Sequence, residues 1–174
     1  LSVPLPHFKE AITPIESPMP EVWFYHLRSQ KLDNVLPVLL EKSLERKWKV
    51  TVQATSEERL DALDQWLWTY NDASFLAHGR ARDGDPEMQP VFLTTDAENP
   101  NGSSVRFFIE RASAASLIAA PAKSDYARFI LLFDGNDEDE LAFARSEWKK
   151  FKAGGLDLSY WQQNAAGRWE KQAI

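Results

Sequence analysis

Cysteine is absent from the 174-residue chain, which excludes disulfides, thiolate zinc sites and cysteine nucleophiles together. Long apolar runs are missing as well. The longest, such as Phe129-Ile130-Leu131-Leu132-Phe133, fall far short of the ~18 residues that read as a membrane span, so no membrane partner is expected. No stretch joins a basic region to an apolar core and a small-residue cleavage site; the expectation is a cytoplasmic domain. Positive charge is in deficit, with 20 Lys and Arg against 26 Asp and Glu and a formal net charge of -6. Phosphate backbones are held chiefly by excess cations, so a chain of this sign is a poor general nucleic-acid binder. Histidines number only three, His7, His26 and His78.

Aromatic residues are what the chain has in excess, with 7 Trp and 10 Phe. A core of this size does not need that many indoles, and protein interfaces favour Trp, Tyr and Arg. A core that simply uses large residues is the competing reading. The hydrophobic fraction of 44% is ordinary for a globular protein and excludes disorder as the whole account.

Pro4, Pro6, Pro14, Pro18 and Pro20 crowd the first twenty residues. Proline at this density blocks both helix and sheet ladder, so residues 1–20 read as an extended arm preceding a single domain over 21–174. Met19 is the expected natural start, with residues 1–18 an upstream addition.

Within the domain, 21–27 and 48–54 read as strands. Between them Leu32, Val35, Leu36, Leu39, Leu40 and Leu44 repeat at steps of three and four, predicting a helix over 32–46 that Pro37 kinks or starts late. Thr55 or Ser56 caps a second helix whose buried side is Leu60, Leu63, Leu67 and Trp68. A polar stretch over 71–89 is followed by strands at 90–94 and 105–109, then a loop with a short helix over 112–123. The most apolar strand, 127–133, is expected at the centre of the sheet. A helix over 138–153 closes on Gly154-Gly155, and strands at 156–161 and 167–170 end the pattern. Strands alternating with helices give an α/β fold with a mostly parallel central sheet flanked by helices.

Several chemistries fail on inspection. The turn after the first strand, Arg28-Ser29-Gln30-Lys31, has no glycine to let a pyrophosphate approach the helix N-terminus, so no nucleotide cofactor is expected. Asp134-Gly135-Asn136-Asp137 is not a calcium loop, because its glycine follows the first acid immediately instead of standing sixth. Asn101-Gly102-Ser103 matches the glycosylation tripeptide by chance. His26 reads as a packed strand residue and His7 lies in the arm, leaving His78 as the candidate if the chain were a small α/β enzyme using acid–base chemistry. A further alternative is single-stranded nucleic-acid binding through Arg46, Lys47, Trp48 and Lys49, where an aromatic sits among cations.

Taken in order, the motifs resemble those of a known family. Glu21-Val22-Trp23-Phe24-Tyr25-His26-Leu27, Val38-Leu39-Leu40-Glu41-Lys42 and Leu60-Asp61-Ala62-Leu63-Asp64-Gln65-Trp66-Leu67-Trp68 look like the chi subunit of bacterial DNA polymerase III. So do Ser74-Phe75-Leu76-Ala77-His78-Gly79, Pro90-Val91-Phe92-Leu93-Thr94, Phe133-Asp134-Gly135, Ala144-Arg145-Ser146-Glu147-Trp148-Lys149 and Tyr160-Trp161-Gln162-Gln163. The resemblance runs from about Glu21 to Lys171, with Ala77 where members often have proline. It implies a nucleotide-binding type of fold that has lost its phosphate loop, and a non-catalytic accessory of the clamp loader without cofactor or metal. It also implies two partners: the psi subunit, and the acidic C-terminal tail of single-stranded DNA-binding protein, with DNA reached only through them.

On the helix over 138–153, Leu141, Ala144, Trp148 and Phe151 are expected to face the sheet. Arg145, Lys149 and Lys152 form a basic ridge along that apolar face, with Trp148 at the junction. An acidic peptide with a hydrophobic end wants a pocket beside cations, so Arg145, Trp148, Lys149 and Lys152 are the expected tail site. Some members carry a lysine one turn before the matched arginine, where this chain has Leu141. Trp68 and Phe75 match family positions expected to meet psi, with burial in the core as the alternative.

Overall fold

A computed structural model describes residues 19–119 and 126–173; the arm over 1–18 and residues 120–125 of the expected loop lie outside the described residues. Seven strands form one sheet: β1 (Glu21–Leu27), β2 (Val50–Gln53), β3 (Val91–Thr94), β4 (Val105–Ile109), β5 (Arg128–Asp134), β6 (Leu158–Gln163) and β7 (Trp169–Lys171). Their order is β3-β2-β4-β5-β1-β6-β7, and every pairing is parallel except β6 with β7. β5 is therefore central, as its unbroken apolar run requires of a strand covered on both faces. Four helices flank the sheet: α1 (Leu32–Glu45), α2 (Glu57–Thr69), α3 (Ala115–Ala119) and α4 (Glu138–Ala153).

Alternation along the strands sorts the core into two layers. Tyr25, Leu27, Phe107, Ile130 and Leu132 pack with Leu36 and Leu40 of α1 and Leu60 and Leu63 of α2. Phe24, Phe129, Leu131 and Phe133 pack on the other face with Ala144 and Phe151 of α4. Right-handed crossovers explain the split: β1 leads through α1 toward β2, whereas β5 leads through α4 in the opposite direction to β6.

Pro37 lies inside α1 and does not delay its start. Lacking an N–H, it leaves the Asp33 carbonyl without its helical partner, and the Trp66 indole of α2 donates to that oxygen at 2.6 Å. Ser56 is the cap of α2, its hydroxyl accepting the Arg59 N–H at 3.1 Å. α4 starts on Asp137, whose carboxylate accepts the Asp139 and Glu140 N–H groups, and ends with Gly155 at φ +74°. Closing that cap draws the Leu156 N–H onto the Phe151 carbonyl (3.2 Å), so β6 begins two residues later than the apolar pattern suggests.

β2 also starts late, at Val50 instead of Trp48. α1 ends in the same type of cap, with the Lys47 N–H on Leu44 O (2.8 Å) and the Trp48 N–H on Ser43 O (3.0 Å). Here a lysine, not a glycine, occupies the left-handed position, at φ +61°. Trp68 is the clearest departure from expectation: Leu60, Leu63 and Leu67 are buried, but Trp68 is 51% exposed. Its place, one residue beyond Leu67, turns it about 100° off the buried stripe.

Candidate functional site

A cleft of about 450 Å³ lies between α4 and the sheet. That size falls within the range of ligand-binding clefts. Leu141, Ala144, Arg145, Trp148 and Lys149 of α4 form one wall, Phe133 and Tyr160 lie opposite, and Gln162, Gln172 and Ala173 complete the rim. The three- and four-residue steps of α4 place Arg145, Trp148 and Lys149 side by side. Trp148 is half-buried, with its ring 5.0 Å from Phe24 and 5.7 Å from Tyr160, edge to face in both cases. Arg145 and Lys149 are exposed, and neither makes an ion pair among the described residues. An apolar wall with unneutralised cations along its lip is the result.

Three of the four residues expected at this site thus come together, and Lys152 does not: it is exposed one turn further on and does not line the cleft. Leu141, standing where some relatives carry lysine, extends the apolar wall. Glu147, on the same helix, is fully buried, with its Oε1 accepting the Ser113 hydroxyl at 2.6 Å. The charge pattern alone places a glutamate on the solvated side, so only its neighbour on α3's approach could have revealed it.

Behind the cleft a second set of contacts fixes Tyr160. Its hydroxyl and His26 Nδ1 share a 2.7 Å hydrogen bond, and the His26 ring stacks 5.0 Å from Phe133. A Cβ at Gly135 would lie 1.7 Å from His26 Nε2, which explains why the turn Phe133-Asp134-Gly135 carries glycine. Burial, then the Arg28 cation, lower the His26 pKa; Asp134 opposes them and Arg145 adds a further downward push. His26 is therefore neutral at pH 7, and its contribution to stability is lost as pH falls from the ordinary histidine range through its folded value. Burial raises the Tyr160 pKa while Arg145 pulls it back, so the arginine's field reaches the cleft floor. Gly135→Ala is expected to displace the His26 ring and lower the unfolding free energy by about 1–3 kcal/mol, as overpacking does. Urea denaturation measures this, and an unchanged midpoint would show that the turn tolerates a side chain.

The crevice where a doubly wound sheet ordinarily takes a nucleotide lies at the carboxyl ends of β1 and β5, from which α1 and α4 depart on opposite faces. It is a cleft of about 250 Å³ lined by the chain's own paired charges: Arg59 donates to Asp33 (2.8 Å) and Glu110 (2.6 Å), and Glu140 accepts the Asp134 N–H (2.7 Å). At the turn after β1, Gln163 accepts the Gln30 N–H and donates to the Gln30 side-chain oxygen (2.6 Å), so this turn's N–H is already engaged within the chain.

His78 is not placed for acid–base work. It is buried, with Nδ1 on the Leu76 carbonyl (2.7 Å) and Nε2 on the Asp64 carboxylate (2.8 Å), and so fastens the 74–79 loop to α2. Asn101 is likewise buried, donating to the Val50 and Gln89 carbonyls, so its tripeptide serves the core. The loop that His78 fastens presents Phe75, 78% exposed, against Trp68, the two ring centroids 5.7 Å apart. Trp68 itself rests on the His78 ring at 4.3 Å. This aromatic pair belongs to the α2 face, on the opposite side of the sheet from α4.

The molecule is thus a doubly wound α/β protein whose nucleotide crevice is lined by its own paired charges and which carries a larger cleft between α4 and the sheet. A sequence profile described as "DNA polymerase III chi subunit, HolC" matches residues 19–159, and the chain belongs to that family. Over 156 residues it is 25% identical to the "Probable DNA polymerase III subunit chi" of Rickettsia prowazekii (strain Madrid E), covering 89% of this chain and 93% of that protein. The family gives the chain an accessory, non-catalytic role in the replisome. Among the described residues no helix is long and apolar enough to cross a membrane.

Proposed function

We propose that this chain is an adaptor of the clamp-loader complex, joining it through psi to the acidic C-terminal tail of single-stranded DNA-binding protein. The observation that carries this reading is the pair of recognition surfaces on opposite faces of one rigid sheet. The α4 cleft offers an apolar wall at Trp148 with Arg145 and Lys149 at its lip. A peptide with acidic residues before a hydrophobic end finds there a pocket for the side chain and donors for its carboxylates. On the other face, Trp68 and Phe75 form an exposed aromatic pair of the kind that anchors stable interfaces, held in place before binding by His78. Separation by the sheet lets both partners bind at once, which an adaptor requires.

Affinity purification of the chain from extract of its own cells tests the reading. Psi and single-stranded DNA-binding protein are both expected to co-purify, the second being released by an excess of its free tail peptide. Recovery of neither protein would remove the adaptor function.

A further inference from the structure

The turn at Arg46, Lys47, Trp48 and Lys49 acquires partners in the fold that its sequence does not show. The Arg46 guanidinium lies 5.1 Å from the Trp48 ring centroid, and Arg128, from β5, lies 5.8 Å from the same ring. Arg128 also stacks 3.6 Å above Trp23 of β1, whose ring is 5.3 Å from that of Trp161 in β6. A line of planar groups, Arg46–Trp48–Arg128–Trp23–Trp161, therefore runs from the end of α1 across one face of the sheet to β6. α1 and α2 lie over β2, β3 and β5. The same face continues across β1, β6 and β7 as Trp23, Trp161 and Trp169, each half-buried.

Charge on this face runs against the sign of the whole chain. Arg46 and Lys47 are exposed beside Trp48, and Lys171, paired in register with Trp161, shares its face, whereas Lys49 turns away and donates to the Glu87 carbonyl at 3.2 Å. Arg46, Lys47 and Lys171 make no ion pair among the described residues. The acids beside them are Glu45, exposed at the end of α1, and Glu21, which is engaged with Arg128 at 3.1 Å. Lys47 keeps its cation at φ +61°, where glycine would relieve the backbone. Such strain persists where a side chain has a use.

We propose that this face binds single-stranded nucleic acid, with bases stacked along the Trp48–Arg128–Trp23–Trp161 line and phosphates held by Arg46, Lys47 and Lys171. Rings and guanidinium planes stack on any base, and flanking cations track the backbone, so the contact is sequence-tolerant and salt-dependent. Duplex DNA hides its base faces and cannot use this line. The surface is separate from the α4 cleft, so its fate does not decide that of the adaptor reading.

The test is fluorescence anisotropy of a labelled oligothymidylate of about 20 nucleotides, long enough to span such a face, titrated with the full chain free of partners. Binding is expected at low salt, weakening as salt rises with a slope of roughly -0.7 per phosphate contact. Lys47→Gly removes one contact and relieves the left-handed lysine: its melting temperature is expected to rise while affinity falls about threefold and the slope shrinks by about 0.7. Adding Arg46→Ala is expected to bring the loss to at least about tenfold, whereas Arg145→Ala, on the opposite face, binds as the wild type does. Absence of binding at low salt, or full affinity in the Arg46→Ala, Lys47→Gly double variant, would overturn the proposal. Equal affinity for a duplex, or capture of polyglutamate instead of the oligonucleotide, would also overturn it.

Discussion

Arg145→Ala is expected to weaken binding of an acidic tail peptide by about tenfold to a hundredfold, with no change in folding. Removing the guanidinium deletes at least one charge-assisted hydrogen bond to a carboxylate, worth roughly 1.5–3 kcal/mol. The side chain is exposed and makes no ion pair among the described residues, so its loss leaves stability within about 0.5 kcal/mol. Trp148→Ala is expected to weaken binding to a similar degree, but it also strips the ring from its contacts with Phe24 and Tyr160, so part of that loss is destabilisation. Lys152→Ala supplies the contrast: outside the cleft, it acts only as a screened charge, and its effect is expected to stay within about threefold. Calorimetric titration at two salt concentrations, with thermal melts as the folding control, measures all three. Unchanged affinity in a well-folded Arg145→Ala variant would remove α4 from the tail site.

The α4 wall of this cleft was legible because helical spacing is local: once 138–153 is a helix, Arg145, Trp148 and Lys149 must share a face. The opposite wall was not. Tyr160 reaches the site because β6 pairs with β1, and its hydrogen bond to His26 spans 134 positions in the chain. No periodicity within either strand records that contact. Gly135 shows the same limit, since its need for glycine comes from an imidazole more than a hundred residues earlier.

Strand and helix identities followed from apolar patterning, and the central place of β5 from its unbroken run. Boundaries slipped where a helix cap consumed residues that look like strand, at Trp48 and at Leu156. Pro37 does not mark a late start, and an indole on α2 replaces the helical donor it lacks. Trp68 misled through hydropathy: its ring is large and apolar, but one step past Leu67 it leaves the buried stripe. His78 looked available because it lies within a polar stretch, yet its two nitrogens hold that loop to α2.

The Trp68→Ala, Phe75→Ala double variant is expected to lose association with psi by more than about a hundredfold. Aromatic anchors at interface centres contribute roughly 2–4 kcal/mol each when truncated, and about 1.4 kcal/mol is a factor of ten. Phe75 is the cleaner of the two, being 78% exposed, whereas Trp68 rests on His78 and its removal loosens the loop. An apolar contact of this kind also has a salt signature. Raising salt from about 0.1 to about 1 M shortens the screening length from roughly 10 to roughly 3 Å, which suppresses exposed charge pairs but leaves buried rings in place. The psi complex is therefore expected to survive high salt while the tail peptide is released. Size-exclusion chromatography with light scattering follows the first, and calorimetry the second. Because the two surfaces lie on opposite faces of the sheet, Arg145→Ala is expected to leave psi binding intact and Phe75→Ala to leave tail affinity intact, each within about 0.5 kcal/mol. Release of psi by 1 M salt, or a Phe75→Ala chain that binds psi undiminished, would move the psi interface away from this aromatic pair.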